Sequence, residues 1–225
     1  MTMTEPQTVC EESGAEVHTF RVSAAAAGTR EPGAREPLSP EEREKADGFV
    51  QEADRDRYVV AHLALRRLLA ERLGTDPGAV PFTRADCPVC GAPHGRPSVA
   101  GDPVHFSLSH AGDLVLIAFA PVQVGVDVER HPSSRAVAQT SSALHPREQR
   151  ELAAVPEGEA RSAAFARCWT RKEAYLKGTG AGLGEDVGIT YVGTLEGRPA
   201  EVPGWRLADL EAAPGYAAAL AIRER

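Results

Sequence analysis

Two kinds of rhythm in hydrophobic and polar positions lay out this chain. With period two, Val122, Val124, Val126 and Val128 alternate with Gln123, Gly125, Asp127 and Glu129. That spacing predicts a strand with a valine face toward the core and Asp127 and Glu129 side by side on the other face. Residues 105–120, HFSLSHAGDLVLIAFA, read as two more strands joined by a turn at Ala111–Asp113, the second strongly apolar. VHTFRV at 17–22 reads as a first strand, and short strands are expected near 187–192 and at 216–222, with GWRLADL between them. With period 3.6, Phe165, Trp169, Lys172 and Leu176 fall on one stripe, in a stretch free of helix breakers until glycines arrive at 178, 180 and 182. A second long helix runs from about Asp54 to Leu73, with Val59, Leu63, Arg66, Leu69 and Leu73 near helical spacing and Gly74 as its stop. Ser39-Pro40-Glu41-Glu42 supplies an N-cap, a proline at the first position and a capping-box glutamate, which opens a helix toward Ala53. HPREQRELAAV opens another near Pro146. Residues 1–15 read as a flexible tail, and 28–38, 74–104 and 130–142 as loops.

A weak internal echo adds to this layout. HFSL leads through a turn to GDLVLIAF, and about a hundred residues later GWRL leads to GYAAALAI, each pair preceded by a long helix. The expected architecture is therefore α+β, built as two similar α+β halves, 16–121 and 122–225.

Composition narrows the class. The chain has 225 residues, 42% hydrophobic and 25% charged, enough for a real core in a soluble globular protein. No apolar run approaches membrane-spanning length and the first residues lack a basic, apolar signal, so a cytoplasmic protein without a membrane partner is expected. The net charge of −7 argues against general nucleic-acid binding. Four cysteines, two of them in CPVC, make no disulfide framework. Cys87, Cys90 and His94 are part of a zinc site, with His105 as a candidate fourth ligand, or else a free-thiol turn, or a redox pair of cysteines. Arg57, Arg66, Arg67 and Arg72 read as a solubilising helix surface.

The chemistry gathers around the acidic strand. Two carboxylates on one strand face repel, so Asp127 and Glu129 need water, a cation partner or a metal. A solvated strand face is the ordinary reading of a lone D-x-E. Glu173 and Lys177 are four apart on the edge of the Trp169 stripe, where the ordinary reading is a helical ion pair worth ~0.3 kcal/mol. Taken together, the three carboxylates Asp127, Glu129 and Glu173 also fit an oxygen-rich Mg²⁺ site, since magnesium takes a few carboxylates plus substrate phosphates and water.

GVDVE followed about 40 residues later by WTRKEAYLK resembles the signature pair of the 4′-phosphopantetheinyl transferases, in their usual order and separation. The resemblance extends to FSLSH at 106–110 and GRP at 95–97, and covers roughly residues 39–190. The length is similar to that of the larger, surfactin-synthetase-activating type, which looks like two fused copies of a small subunit. This implies a pseudo-dimeric fold with coenzyme A bound in the cleft between the halves, and a monomer, since one chain supplies both walls. It also implies the reaction: a serine hydroxyl of an apo acyl, polyketide or peptidyl carrier protein attacks the β-phosphorus of coenzyme A, and 3′,5′-ADP leaves. By the same resemblance, Ser109 and His110 meet the 3′-phosphate together with Arg96 and Pro97, where the family usually has G-K-P. Arg43 and Lys45 match basic residues after the S-P-E start. Asp127, Glu129 and Glu173 hold Mg²⁺, Lys177 neutralises phosphate charge with help from Lys172, and Glu173 is the candidate base. Trp169 reads as a structural anchor. Two other readings stay open: another Mg²⁺-dependent transferase that cleaves a pyrophosphate, and a carrier-binding protein without chemistry. No P-loop pattern supports a nucleotide hydrolase.

Overall fold

The computed structural model describes residues 7–10 and 14–224. Strands β1 (Gln7–Cys10) and β2 (Ala15–Arg21) precede the short α1 (Val22–Ala25), α2 (Pro40–Asp47) and the long α3 (Glu52–Leu73). Then come β3 (Phe82–Arg84), β4 (Pro97–Val99), β5 (His105–Ala111), β6 (Leu114–Ala120) and β7 (Val124–Arg130). Helices α4 (Ser134–Thr140), α5 (Pro146–Ala154) and α6 (Glu159–Thr179) follow, and β8 (Trp205–Leu210) and β9 (Tyr216–Arg223) close the fold. One antiparallel sheet has the order β1-β2-β6-β5 and another β7-β9-β8; β3 and β4 form a small ribbon.

The repeat is plain in this topology. In the first half, β2 leads to α3 and then the β5–β6 hairpin, with β2 beside β6. In the second, β7 leads to α6 and then the β8–β9 hairpin, with β7 beside β9. Both long helices pack on the sheet of their own half, and the sheets bury a third core between them. Val115, Ile117 and Phe119 of β6 face α3, with Leu68 and Leu69, while Leu114, Leu116 and Ala118 meet Val124, Val126 and Val128 of β7. Burial on both faces explains why β6 is apolar at every position. On its own sheet α6 packs Phe165 and Cys168 with Trp205, Leu207 and Ala221.

Local signals account for the helix ends. Ser39 and Glu42 form a full capping box, and Gly74 and Gly180 stop α3 and α6 in the left-handed conformation. Several expectations fail, beginning with the expected loop at 74–104, which holds β3 and β4. The helix opened at Ser39 ends at Asp47 rather than reaching Ala53, and α3 starts afresh at Glu52. Part of the expected loop at 130–142 is α4, begun by the Ser133 hydroxyl, which accepts from the Ala136 N–H. Part of the expected tail is a strand, because Gln7–Cys10 pairs with β2; residues 1–6 and 11–13 lie outside the described ones. Residues 187–192 form no strand. In and just beyond this stretch, side chains take the backbone groups that a ladder would use. The carbonyls of Thr190, Gly193 and Leu195 accept from Lys172 and Arg171, and the N–H groups of Val192 and Gly193 donate to Glu148.

Arg66, expected on a solubilising surface, is buried. Its guanidinium donates to Glu42 (2.7 Å) and to the Pro77 carbonyl and lies over the Phe82 ring. Arg57 pairs with Asp54, and Arg72 reaches Glu16 while covering Phe119.

Candidate active site

The free edge of β5 meets the free edge of β7, and serine hydroxyls take the place of a ladder between them. Ser107 Oγ accepts from the Val126 N–H at 3.0 Å and Ser109 Oγ from the Val128 N–H at 3.3 Å. This seam presents Leu108, Ser109 and His110 of the first half beside Asp127 and Glu129 of the second.

The acidic face of β7 is turned onto α6, and Gly125 lets the helix come close. A Cβ on Gly125 would stand 1.9 Å from the Ala174 carbonyl oxygen and 2.5 Å from the Gly178 nitrogen. Gly178 in turn has no room for a Cβ, which would lie 2.6 Å from the Trp205 ring. These two glycines set the strand-to-helix distance that brings Lys177 to Asp127. Nothing in hydrophobic spacing reveals them.

Along α6, Trp169, Glu173 and Lys177 form an i, i+4, i+8 row that lines a hollow of about 440 Å³ with Asp127, Glu129, Ser109 and His110. Lys177 Nζ lies 2.6 Å from Asp127 Oδ1 and 3.0 Å from Ser109 Oγ, and the Ser109 hydroxyl donates to the same Asp127 oxygen at 2.7 Å. The other oxygen, Asp127 Oδ2, is buried without a hydrogen-bond partner, a costly state for a carboxylate. Burial and the Asp127 charge push the Glu129 carboxyl up to about 7, with Glu173 adding to the effect and Lys177 opposing it. Glu173 is likewise raised, by burial and by Asp127, against Lys177. The hollow thus holds more negative charge than its one lysine offsets. An orphaned buried oxygen, two carboxyls raised by repulsion and an all-oxygen donor set fit a small hard cation. The three carboxylates are not drawn tightly together: among the described residues, only Cys87, Cys90 and His94 bring three ligand atoms within 4.8 Å of one another.

Lys177 also lines a larger cleft of about 960 Å³, so it stands where the two cavities join. Arg96, Pro97, Arg84, His62 and His94 border this cleft. Arg96 is held by Asp102 and His105 at 3.1 Å each, which commits His105 there and not to the cysteines. His62 stacks on Tyr58 (3.8 Å between centroids), and the Lys45 amine lies over the ring of that tyrosine, 5.3 Å from its centroid. His110 lies beside Arg57, His62 and Lys177; the packing of atoms around its ring and these charges lower its pKa.

Several expected site residues stand apart from the rest. Lys172 is 2% exposed and faces away from the hollow; its amine is bound to Glu148 (2.7 Å) and the Thr190 carbonyl (2.6 Å). The reason is helical phase, since Lys172 points into the second-half core beside fully buried Arg171. Ser109, by contrast, stays in the hollow, but its hydroxyl is already engaged: it donates to Asp127 and accepts from Lys177 and the Val128 N–H. Arg43 donates to the Glu36 carbonyl and lines a separate hollow with Arg30 and Arg35. His62 and Arg84 were not anticipated. The i, i+4 spacing of Tyr58 and His62 was the available signal for the first; none existed for Arg84.

Two family models meet at the seam between β6 and β7. Residues 33–122 match "4'-phosphopantetheinyl transferase, N-terminal", and residues 123–217 match the "4'-phosphopantetheinyl transferase superfamily". The 4'-phosphopantetheinyl transferase HetI of Nostoc sp. is 31% identical over 92% of this chain and 87% of its own length. The 4'-phosphopantetheinyl transferase Sfp of Bacillus subtilis is 28% identical over 65% of this chain and 62% of its own. The L-aminoadipate-semialdehyde dehydrogenase-phosphopantetheinyl transferase of Mus musculus is 26% identical over 65% and 50%. The chain therefore belongs to the 4'-phosphopantetheinyl transferase superfamily, and within it has relatives of the Sfp type.

Proposed function

We propose that this enzyme moves the 4′-phosphopantetheine arm of coenzyme A to a serine of apo acyl, polyketide or peptidyl carrier proteins, using the hollow and cleft that meet at Lys177. The single observation that carries this reading is that junction: a cleft of about 960 Å³ bordered by cationic side chains opens onto an acidic hollow through one lysine. Coenzyme A occupies the cleft, with Arg96 and His110 donating to its 3′-phosphate; Arg96 adds the fork that suits a phosphate. Its pyrophosphate lies over the hollow. Pro97 belongs to the cleft wall in this reading and Lys45 stands behind it, over the Tyr58 ring on which the wall residue His62 stacks, while Arg43 and Lys172 have no part in it.

Asp127, Glu129 and Glu173 would hold Mg²⁺, which when bound would offset the carboxylate charge and draw electron density from the pyrophosphate oxygens. Lys177 hands its ammonium from Asp127 toward the phosphate that gains charge as the bond breaks. The carrier serine oxygen bonds to the β-phosphorus, the bridging bond to the α-phosphate breaks, and 3′,5′-ADP departs with the electron pair. The serine proton passes to Glu173, whose carboxyl is held above the ordinary carboxylate range by burial and by the Asp127 charge and so binds a proton more readily. Ser109 keeps Asp127 oriented. Such transfer depends mainly on positioning and charge neutralisation. Both walls come from one chain, so a monomer suffices. No helix among the described residues is long and apolar enough to cross a membrane.

The test is the intact mass of an apo carrier protein incubated with the enzyme, coenzyme A and Mg²⁺, beside an Asp127→Ala control. A gain of one phosphopantetheine arm, lost with chelator and in the control, is expected. No gain on acyl, polyketide or peptidyl carriers would overturn the reading.

A further inference from the structure

The ribbon β3–β4 carries a loop whose chemistry the transferase reaction does not use. Cys87, Cys90 and His94 each bring one ligand atom within 4.8 Å of the others. Cys90 Sγ lies 3.0 Å from His94 Nε2. The loop is tied off by its own backbone: the Cys87 N–H donates to the Ala92 carbonyl at 2.8 Å and the Gly91 N–H to the Cys87 carbonyl at 2.7 Å. Gly91 takes φ +75°, which turns the chain back after the second cysteine. Gly95 closes the loop, with a Cβ position only 2.7 Å from the Ala85 carbonyl and 2.8 Å from that of Asp86. Both cysteines are unpaired as thiols.

We propose that Cys87, Cys90 and His94 bind a zinc ion, with a water from the cleft as the fourth ligand. Two sulfurs and an imidazole are the donors that zinc takes in small structural loops, and they are too soft for magnesium or calcium. The backbone N–H groups of Val89 and Cys90 point at the Cys87 sulfur, as donors do around a metal-bound thiolate. His105 is excluded as a ligand because Arg96 and Asp102 hold it.

The location gives the ion a consequence. Cys87 and His94 line the large cleft next to Arg96 and Pro97, and Val89 packs against Gly184 in the turn that follows α6. A metal clip here stiffens the cleft wall that carries Arg96. Its role is positional, because none of its ligands lies in the acidic hollow.

The experiment uses untagged full-length protein, purified under reducing conditions without added metal and assayed for zinc by plasma mass spectrometry. About one zinc per chain is expected, reduced ~10-fold or more in Cys90→Ser and in His94→Ala. Both residues are exposed, so these variants should retain the parent circular dichroism spectrum. Adding Co²⁺ to the metal-stripped parent should give a thiolate-to-cobalt charge-transfer band that both variants lack. Less than about a tenth of an equivalent of zinc, together with no cobalt band in fully reduced, folded protein, would overturn the proposal. So would a Cys87–Cys90 disulfide in the protein as purified from reducing conditions.

Discussion

Lys172 and Lys177 belong to one nine-residue run on one helix, yet they live in opposite electrostatic worlds. Lys172 enters a network in which every group is answered: Glu148 accepts from it, from the Val192 N–H and from the His145 N–H. Beside it Arg171 makes two bonds to Asp209 and two to backbone carbonyls. Lys177, 32% exposed, shares one oxygen of Asp127 with Ser109 while the other oxygen has no partner and two further carboxyls crowd the same hollow. A saturated ion pair fixes shape; an unbalanced cluster keeps binding capacity in reserve for a ligand that brings its own charge.

The comparison breaks most visibly if Lys172 is changed to Met. Removing one partner leaves Glu148 buried and uncompensated, which should cost about 3–5 kcal/mol in urea unfolding while the folded fraction keeps its carrier-modification rate. Glu173→Gln should do the reverse. Its carboxyl is held above the ordinary range by burial and Asp127, so neutralising it preserves or raises stability, whereas transfer should fall about 10²–10³-fold. Gly125→Ala tests what joins the two faces. The added carbon collides with α6 backbone, so about 1–3 kcal/mol of stability and much of the transfer rate should be lost together.

A smaller effect follows from pH. Glu129 titrates in the folded protein near 7 against an ordinary 4.5, so the native state binds the extra proton and the unfolded state does not. Stability without added metal should therefore decline as pH rises from about 4.5 to about 7, and Glu129→Gln should flatten that decline. The most local change is Arg96→Ala. It should weaken coenzyme A more than its analogue lacking the 3′-phosphate, a difference read by competition binding and worth about 1.5–3 kcal/mol.

Much of this was legible in advance where a local rule governs. Period two placed β7, a turn at Ala111–Asp113 between two strand-like runs placed β5 and β6, and capping and proline signals placed the starts of α2 and α5 and the end of α3. The hairpin echo around Gly112 and Gly215 anticipated the matched halves, since each hairpin completes the sheet its first strand begins. What escaped depends on partners distant in sequence. Residues 187–192 look strand-forming, but Glu148 and Arg171 take backbone groups there and nearby. Arg66 looks like a surface residue until Glu42 and Phe82 fold over it. The acidic residues and Lys177 were assigned by motif, yet only the close approach at Gly125 explains how they meet, and only helical phase separates Lys172 from them.

The most direct test pairs Glu173→Gln with Lys172→Met, measuring for each the unfolding free energy and the rate of carrier-protein mass gain with coenzyme A and Mg²⁺. The account predicts a crossed result: Glu173→Gln stable and slow, Lys172→Met unstable and, per folded molecule, fast. If instead Glu173→Gln transfers at the parent rate, or Lys172→Met loses transfer at full stability, the assignment of chemistry to the Glu173–Lys177 row is contradicted.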